Sequence, residues 1–128
     1  PYLESFYDRD WNNLSDLNIE MTKKMMEWLS IEVPVYKSSD MDVSGSGSNL
    51  ILDICLKNGA TKYISGIGGK NYLDLDSFSS SGIGVEFLEN NLPSSYPQIF
   101  PKIDFFNDLS AIDLILNCGN DWREEVKF

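Results

Sequence analysis

Residues 62–74 read Lys62-Tyr-Ile-Ser-Gly-Ile-Gly-Gly-Lys-Asn-Tyr-Leu-Asp74. A short apolar strand around Tyr63 and Ile64 runs into a turn with three glycines among four residues, Gly66, Gly68 and Gly69. Ser65, Lys70, Asn71, Tyr72 and Asp74 crowd the same turn. A glycine turn behind a strand lets backbone N–H groups come close to a ligand, because no Cβ stands in the way. Lys70 adds a positive charge. Two phosphate-binding patterns fail here. A P-loop requires a glycine five residues before Gly69, where Ile64 stands, and Ser or Thr after the lysine, where Asn71 stands. The dinucleotide fingerprint starts at Gly66 and Gly68, then meets Asn71 in place of its third glycine. On these residues alone the stretch reads equally as a plain strand-to-helix turn and as a binding loop.

Strand and helix patterns alternate on both sides of it. Upstream, residues 31–36 form a predicted strand carrying Ile31, Val33 and Val35, with Pro34 removing a ladder donor, so that the strand lies near an edge or begins late. A glycine- and serine-rich loop over 41–48 follows. The next helix, capped by Ser48 or Asn49, buries Leu50, Ile51, Ile54 and Cys55 and stops at Gly59. The second strand, 61–65, delivers the glycine turn. A short helix over 73–80 closes at Gly82, and a third strand over 84–88 puts Val85 and Phe87 on one face and Glu86 on the other. This alternation predicts parallel βαβ units with right-handed crossovers. The expected fold is α/β: a small, mostly parallel sheet of about three strands with flanking helices, in β-α-β-α-β-α order, belonging to a larger sheet.

The remaining segments complete a single α/β domain over 1–128. Residues 1–13 read as a connector, mixing Phe6, Tyr7 and Trp11 with Glu4, Asp8 and Asp10. Leu14, Leu17, Met21, Met25, Trp28 and Leu29 fall near one helical stripe. Residues 89–108 form a long loop broken by Pro93, Pro97 and Pro101 among Tyr96, Phe100, Phe105 and Phe106, read as a cover held on by its aromatics. A last helix opens with Ser110 as cap and Asp113 three residues on, and Gly119 stops it. The charged tail, 121–128, is expected to fray.

Composition limits the chemistry. With 42% hydrophobic and 23% charged residues, the 128-residue chain has an ordinary globular balance. A net charge of -10 argues against nucleic acid, since no basic patch is available to neutralise phosphates, and against charge-driven membrane binding. No apolar run approaches the roughly 20 residues of a spanning helix, so no membrane insertion is expected. The absence of histidine rules out a Ser-His-Asp or Cys-His mechanism built from this chain alone. Cys55 and Cys118 lie too far apart for a zinc pair and read as free thiols of a reducing cytoplasm. No metal or cofactor is expected, and no catalytic residue can be assigned.

The glycine turn also carries a resemblance. Ser65-Gly-Ile-Gly-Gly-Lys-Asn-Tyr-Leu-Asp74 resembles the S-G-x-G-G-K-x-Y-L-D signature of the WbqC-like proteins. Other segments agree in the same order, among them Leu17-Asn-Ile-Glu20, Gly59-Ala60-Thr61-Lys62-Tyr63, Tyr96-Pro97-Gln98 and Leu109-Ser110-Ala111-Ile112-Asp113-Leu114. Members of the family are longer and open with a strand and a Gln-Pro turn. The chain, which starts at Pro1, therefore resembles the C-terminal part of a longer protein. The resemblance implies a role in bacterial surface-polysaccharide, lipopolysaccharide O-antigen, assembly. It implies part of a transferase-type enzyme acting on a nucleotide sugar or activated sugar, with a non-catalytic ligand-binding or assembly module as the alternative.

The candidate site follows from the expected topology. In parallel α/β sheets, ligands bind beyond the carboxyl ends of the strands. Neighbouring strands would bring Ser38 and Ser39 beside Ser65, Gly66, Gly68 and Gly69, with Lys70 neutralising an anionic group. Tyr72 would supply a ring face or a hydroxyl. Asp74 would bind a sugar hydroxyl or cap the next helix. The plainer readings are a solvated Lys70 and a turn or cap role for Ser38 and Ser39. The partner expected for this set is a small phosphorylated or nucleotide-linked sugar. An uncovered strand edge would also allow a homodimer.

Overall fold

The computed structural model describes residues 1–89, 92–100 and 104–128, so the part of the expected loop that holds Pro101 lies outside the described residues. The chain divides into two compact units, Pro1–Val35 with Leu92–Phe128, and Tyr36–Asn91.

The second unit holds the sheet. It runs from a 3-10 turn, Ser38–Asp40, to helix α3 (Gly47–Lys57), strand β1 (Lys62–Gly66), a 3-10 helix (Ile67–Asn71), helix α4 (Leu75–Ser80) and strand β2 (Gly84–Leu88). Strands β1 and β2 pair in parallel, with Ser65 opposite Phe87 and Gly66 opposite Leu88. The same sequence device ends both helices. Gly59 (φ +64°) and Gly82 (φ +75°) sit in the left-handed region that L-residues avoid. The N–H groups of the next residues, Ala60 and Ile83, reach back to the Cys55 and Phe78 carbonyls at 2.9 and 3.0 Å. This Schellman closure turns each helix straight into its strand. It also drops Ile83 next to Phe78 and Cys55 in the buried core, with Ile51, Leu52, Ala60, Tyr63, Leu73 and Val85 packed around them. Of the apolar residues predicted for α3, Cys55 and Ile51 reach this core while Leu50 and Ile54 are half-buried, and Val85 joins it from the predicted face of β2.

The expected third strand is a correction. Among the described residues the sheet has two strands, and 31–37 carry no regular structure. Alternation at Ile31, Val33 and Val35 marks a segment suited to a pleated surface, but a strand exists only where a neighbour accepts its ladder bonds, and Pro34 has one donor fewer to offer. Ile31, Val33 and Val35 remain exposed. Parallel sheets are normally covered on both faces, whereas Ile64 and Leu88 on the outer face of β1 and β2 are about half exposed.

The first unit is helical. Its elements are α1 (Tyr2–Tyr7), α2 (Leu14–Trp28), α5 (Ala111–Cys118), a 3-10 turn (Gly119–Asp121) and α6 (Trp122–Glu125). Asn13 caps α2 by accepting the Asp16 N–H at 2.8 Å. The opening segment does more than connect: Phe6 is 1% exposed, among the rings of Tyr2, Tyr7 and Trp11. Arg9 stacks 4.1 Å above the Trp11 ring and pairs with Glu20. The charged tail is fastened rather than frayed. Trp122 Nε1 donates to the Leu29 carbonyl at 3.2 Å, and Lys127 bridges Ser95 in antiparallel fashion.

Candidate functional site

The glycine turn leaves β1 at its carboxyl end, where parallel α/β sheets place ligands. Its residues separate into a buried brace and an exposed face. Ser65 is 3% exposed, and its Oγ donates to the Gly66 carbonyl at 3.0 Å. Gly69 packs directly on it: a Cβ at 69 would lie 2.1 Å from Ser65 Oγ and 3.2 Å from Phe87 Cε1. Glycine at 69 is therefore a packing requirement.

Gly66 and Gly68 are different. Neither has a positive φ, and a Cβ built on either would meet nothing within 4 Å. The fold itself asks for no glycine at these two positions. Both face solvent beside Lys70, whose ammonium sits 5.3 Å from the centre of the Phe87 ring, and Tyr72, also exposed.

Asp74, although exposed, serves the brace rather than the open face. Its Oδ1 accepts the Ser77 N–H at 3.2 Å and its Oδ2 the Ser77 hydroxyl at 2.6 Å, capping α4. Its own N–H donates to Ser48 Oγ at 2.9 Å, which ties α3 to the turn. The Ser77 hydroxyl and N–H hold the Asp74 carboxyl below its ordinary pKa. The stabilisation is therefore complete above the unfolded value of about 3.9 and fades as pH falls through the lower folded value. We expect Asp74→Ala to lower the urea midpoint at pH 7, and this difference to shrink as the pH is taken below 3; an equal difference at both ends would sink the assignment.

Ser38 and Ser39 stand on the exposed 3-10 turn, where Ser39 Oγ donates to Asp40 Oδ1 at 3.1 Å. The strand end meant to carry them beside Ser65 is not formed. Sequence reasoning missed Ser48, read only as a helix cap, and the place of Phe87 beneath Lys70. The strand period could have put Tyr63 with Ser65 and Val85 with Phe87 on one face of each strand, but not the register that sets Ser65 opposite Phe87. A cavity of about 360 Å³ between α4 and β2 has no titratable side chain in its lining and lies toward the amino end of β2. Burial raises the pKa of the Cys55 thiol, and that of Cys118 as well, and both cysteines are free. Among the described residues no group of three or more acidic or Cys side chains is placed to hold a metal, and no helix is long and apolar enough to cross a membrane.

The chain is of the α/β class, with a two-stranded parallel βαβ unit whose glycine turn leaves β1 at its carboxyl end. The family model of the WbqC-like proteins matches residues 1–125, and the chain belongs to that family. It is also similar to the uncharacterized protein Rv1507c of Mycobacterium tuberculosis, 23% identical over 123 residues, 96% of this chain and 52% of the relative. The chain thus spans about half the length of that curated relative. No solved structure matches.

Proposed function

We propose that the exposed face of the turn, Gly66, Gly68, Lys70 and Tyr72, binds the phosphate-bearing part of a phosphorylated or nucleotide-linked sugar. On this reading the chain supplies the donor-binding part of a transferase-type enzyme of bacterial surface-polysaccharide assembly. One observation carries it: Gly66 and Gly68 have open space above them and ordinary backbone angles. Glycines that neither backbone nor packing demands are explained by a guest that must approach the main chain. Lys70 supplies the point charge for an anion, and Tyr72 a ring face for a sugar or base. Family membership supports the setting.

The test is thermal stabilisation by inorganic phosphate and a panel of nucleotide sugars, on wild type, Lys70→Ala and Gly68→Val. A ligand present at 100 times its dissociation constant stabilises by about 2.7 kcal/mol. Loss of the charged hydrogen bond in Lys70→Ala should weaken binding about tenfold or more. Gly68→Val should abolish the shift while leaving the unliganded melting temperature near wild type. If no ligand shifts the wild type, or if both variants respond as wild type does, the reading fails.

A further inference from the structure

Away from the glycine turn, the first unit contains a cavity of about 220 Å³ that joins apolar walls to carboxylates. Its walls are Ile99, Phe100, Phe106 and Leu109, all well exposed. Asp104 and Asp113 also line it, and among the described residues none of its lining side chains is cationic. The carboxylate of Asp113 is held from beneath. The Tyr96 hydroxyl, on a side chain that is 8% exposed overall, donates to Asp113 Oδ2 at 2.8 Å, and Gln98 Nε2 reaches the same oxygen at 3.3 Å. Gln98 in turn clamps Phe106, donating to its carbonyl at 2.8 Å and accepting its N–H at 3.1 Å. The Phe106 main chain and the Asp113 carboxylate are thus positioned before any guest arrives, and among the described residues Asp113 Oδ1 lies outside the network.

We infer that this cavity binds a small organic cation: an ammonium or guanidinium group against Asp104 and Asp113, with its carbon body against Phe100, Phe106 and Leu109. Three physical arguments select that chemistry. Carboxylates make their strongest hydrogen bonds to charged donors. Aromatic faces attract cations within about 6 Å of the ring centre. A neutral apolar guest would strip water from two carboxylates without replacing it, and an anion would be repelled. The volume suits a body of one ring or a short chain rather than a nucleotide. The site is independent of the glycine turn, which belongs to the other unit.

Benzylamine, benzyl alcohol and benzoate, nearly identical in shape, provide the test when titrated into ¹⁵N-labelled protein and followed by NMR. Benzylamine should shift the Gln98 side-chain amide and the backbone amides of Phe106 and Leu109. The alcohol should bind about tenfold or more weakly, as should benzylamine to Asp113→Asn and to Asp104→Asn. Asp113 also holds Tyr96, so Asp104→Asn, which leaves that network in place, decides the matter if Asp113→Asn does not fold. Binding of benzyl alcohol equal to that of benzylamine, binding of benzoate, or no shift with any of the three overturns the inference.

Discussion

Phe78→Ala is expected to unfold most of the Tyr36–Asn91 unit. Phe78 is 0% exposed and sits at the centre of a core whose other buried members are Cys55 and Ile83. Its ring packs against Tyr63 of β1 at 5.8 Å, so it is the side chain that holds α4 to the sheet. Removing a buried phenyl ring costs about 3–5 kcal/mol, transfer and cavity together. A small unit has only a fraction of the 5–15 kcal/mol typical of whole domains. The three tryptophans, Trp11, Trp28 and Trp122, all lie in the other unit, so their fluorescence does not report directly on this one. Hydrogen exchange does: the amides of β1 and β2 should lose their protection in the variant. Protection reduced by less than about tenfold would mean that the core lies elsewhere.

The second large effect separates the three glycines of the turn. Gly69→Ala forces a methyl group against Ser65 Oγ, with Leu73 Cδ1 at 3.0 Å and Phe87 Cε1 at 3.2 Å closing the other sides. Ser65 cannot simply swing away, because it is buried and its hydroxyl is bonded to the Gly66 carbonyl. Overpacking of this kind costs about 1–3 kcal/mol. Gly66→Ala and Gly68→Ala, with open space above them, should stay within about 0.5 kcal/mol of wild type. Adding Ser65→Ala to Gly69→Ala removes the atom of closest approach and should recover part of the loss. Urea denaturation followed by far-ultraviolet circular dichroism measures all four. Equal losses at 66, 68 and 69 would contradict the division of the turn into brace and exposed face.

Much of this was legible in local sequence. Gly59 and Gly82 are spaced to end helices and release strands, and the chain uses them so. Leu14 to Trp28 is a helix, as its apolar spacing predicts. Ser110 caps α5 through the Ile112 N–H at 3.3 Å. Asp113, expected to complete a capping box, is instead engaged by Tyr96 and Gln98. Those partners lie 17 and 15 residues away, beyond the reach of any helical period. The strand expected at 31–36 failed for the same reason: alternation describes one chain, while a ladder needs two.

By itself the sequence determined what short-range sterics and periodicity control: helix ends, the β-α-β run through the glycine turn, the family, and the absence of histidine chemistry. Tertiary structure alone decided which glycines are packing requirements and which are open, that Asp74 is tied to Ser48 of α3, and that Asp113 lines a cavity. These are matters of contact between distant segments. A glycine's reason for being there depends on what stands 3 Å from its missing Cβ, and no local pattern records that.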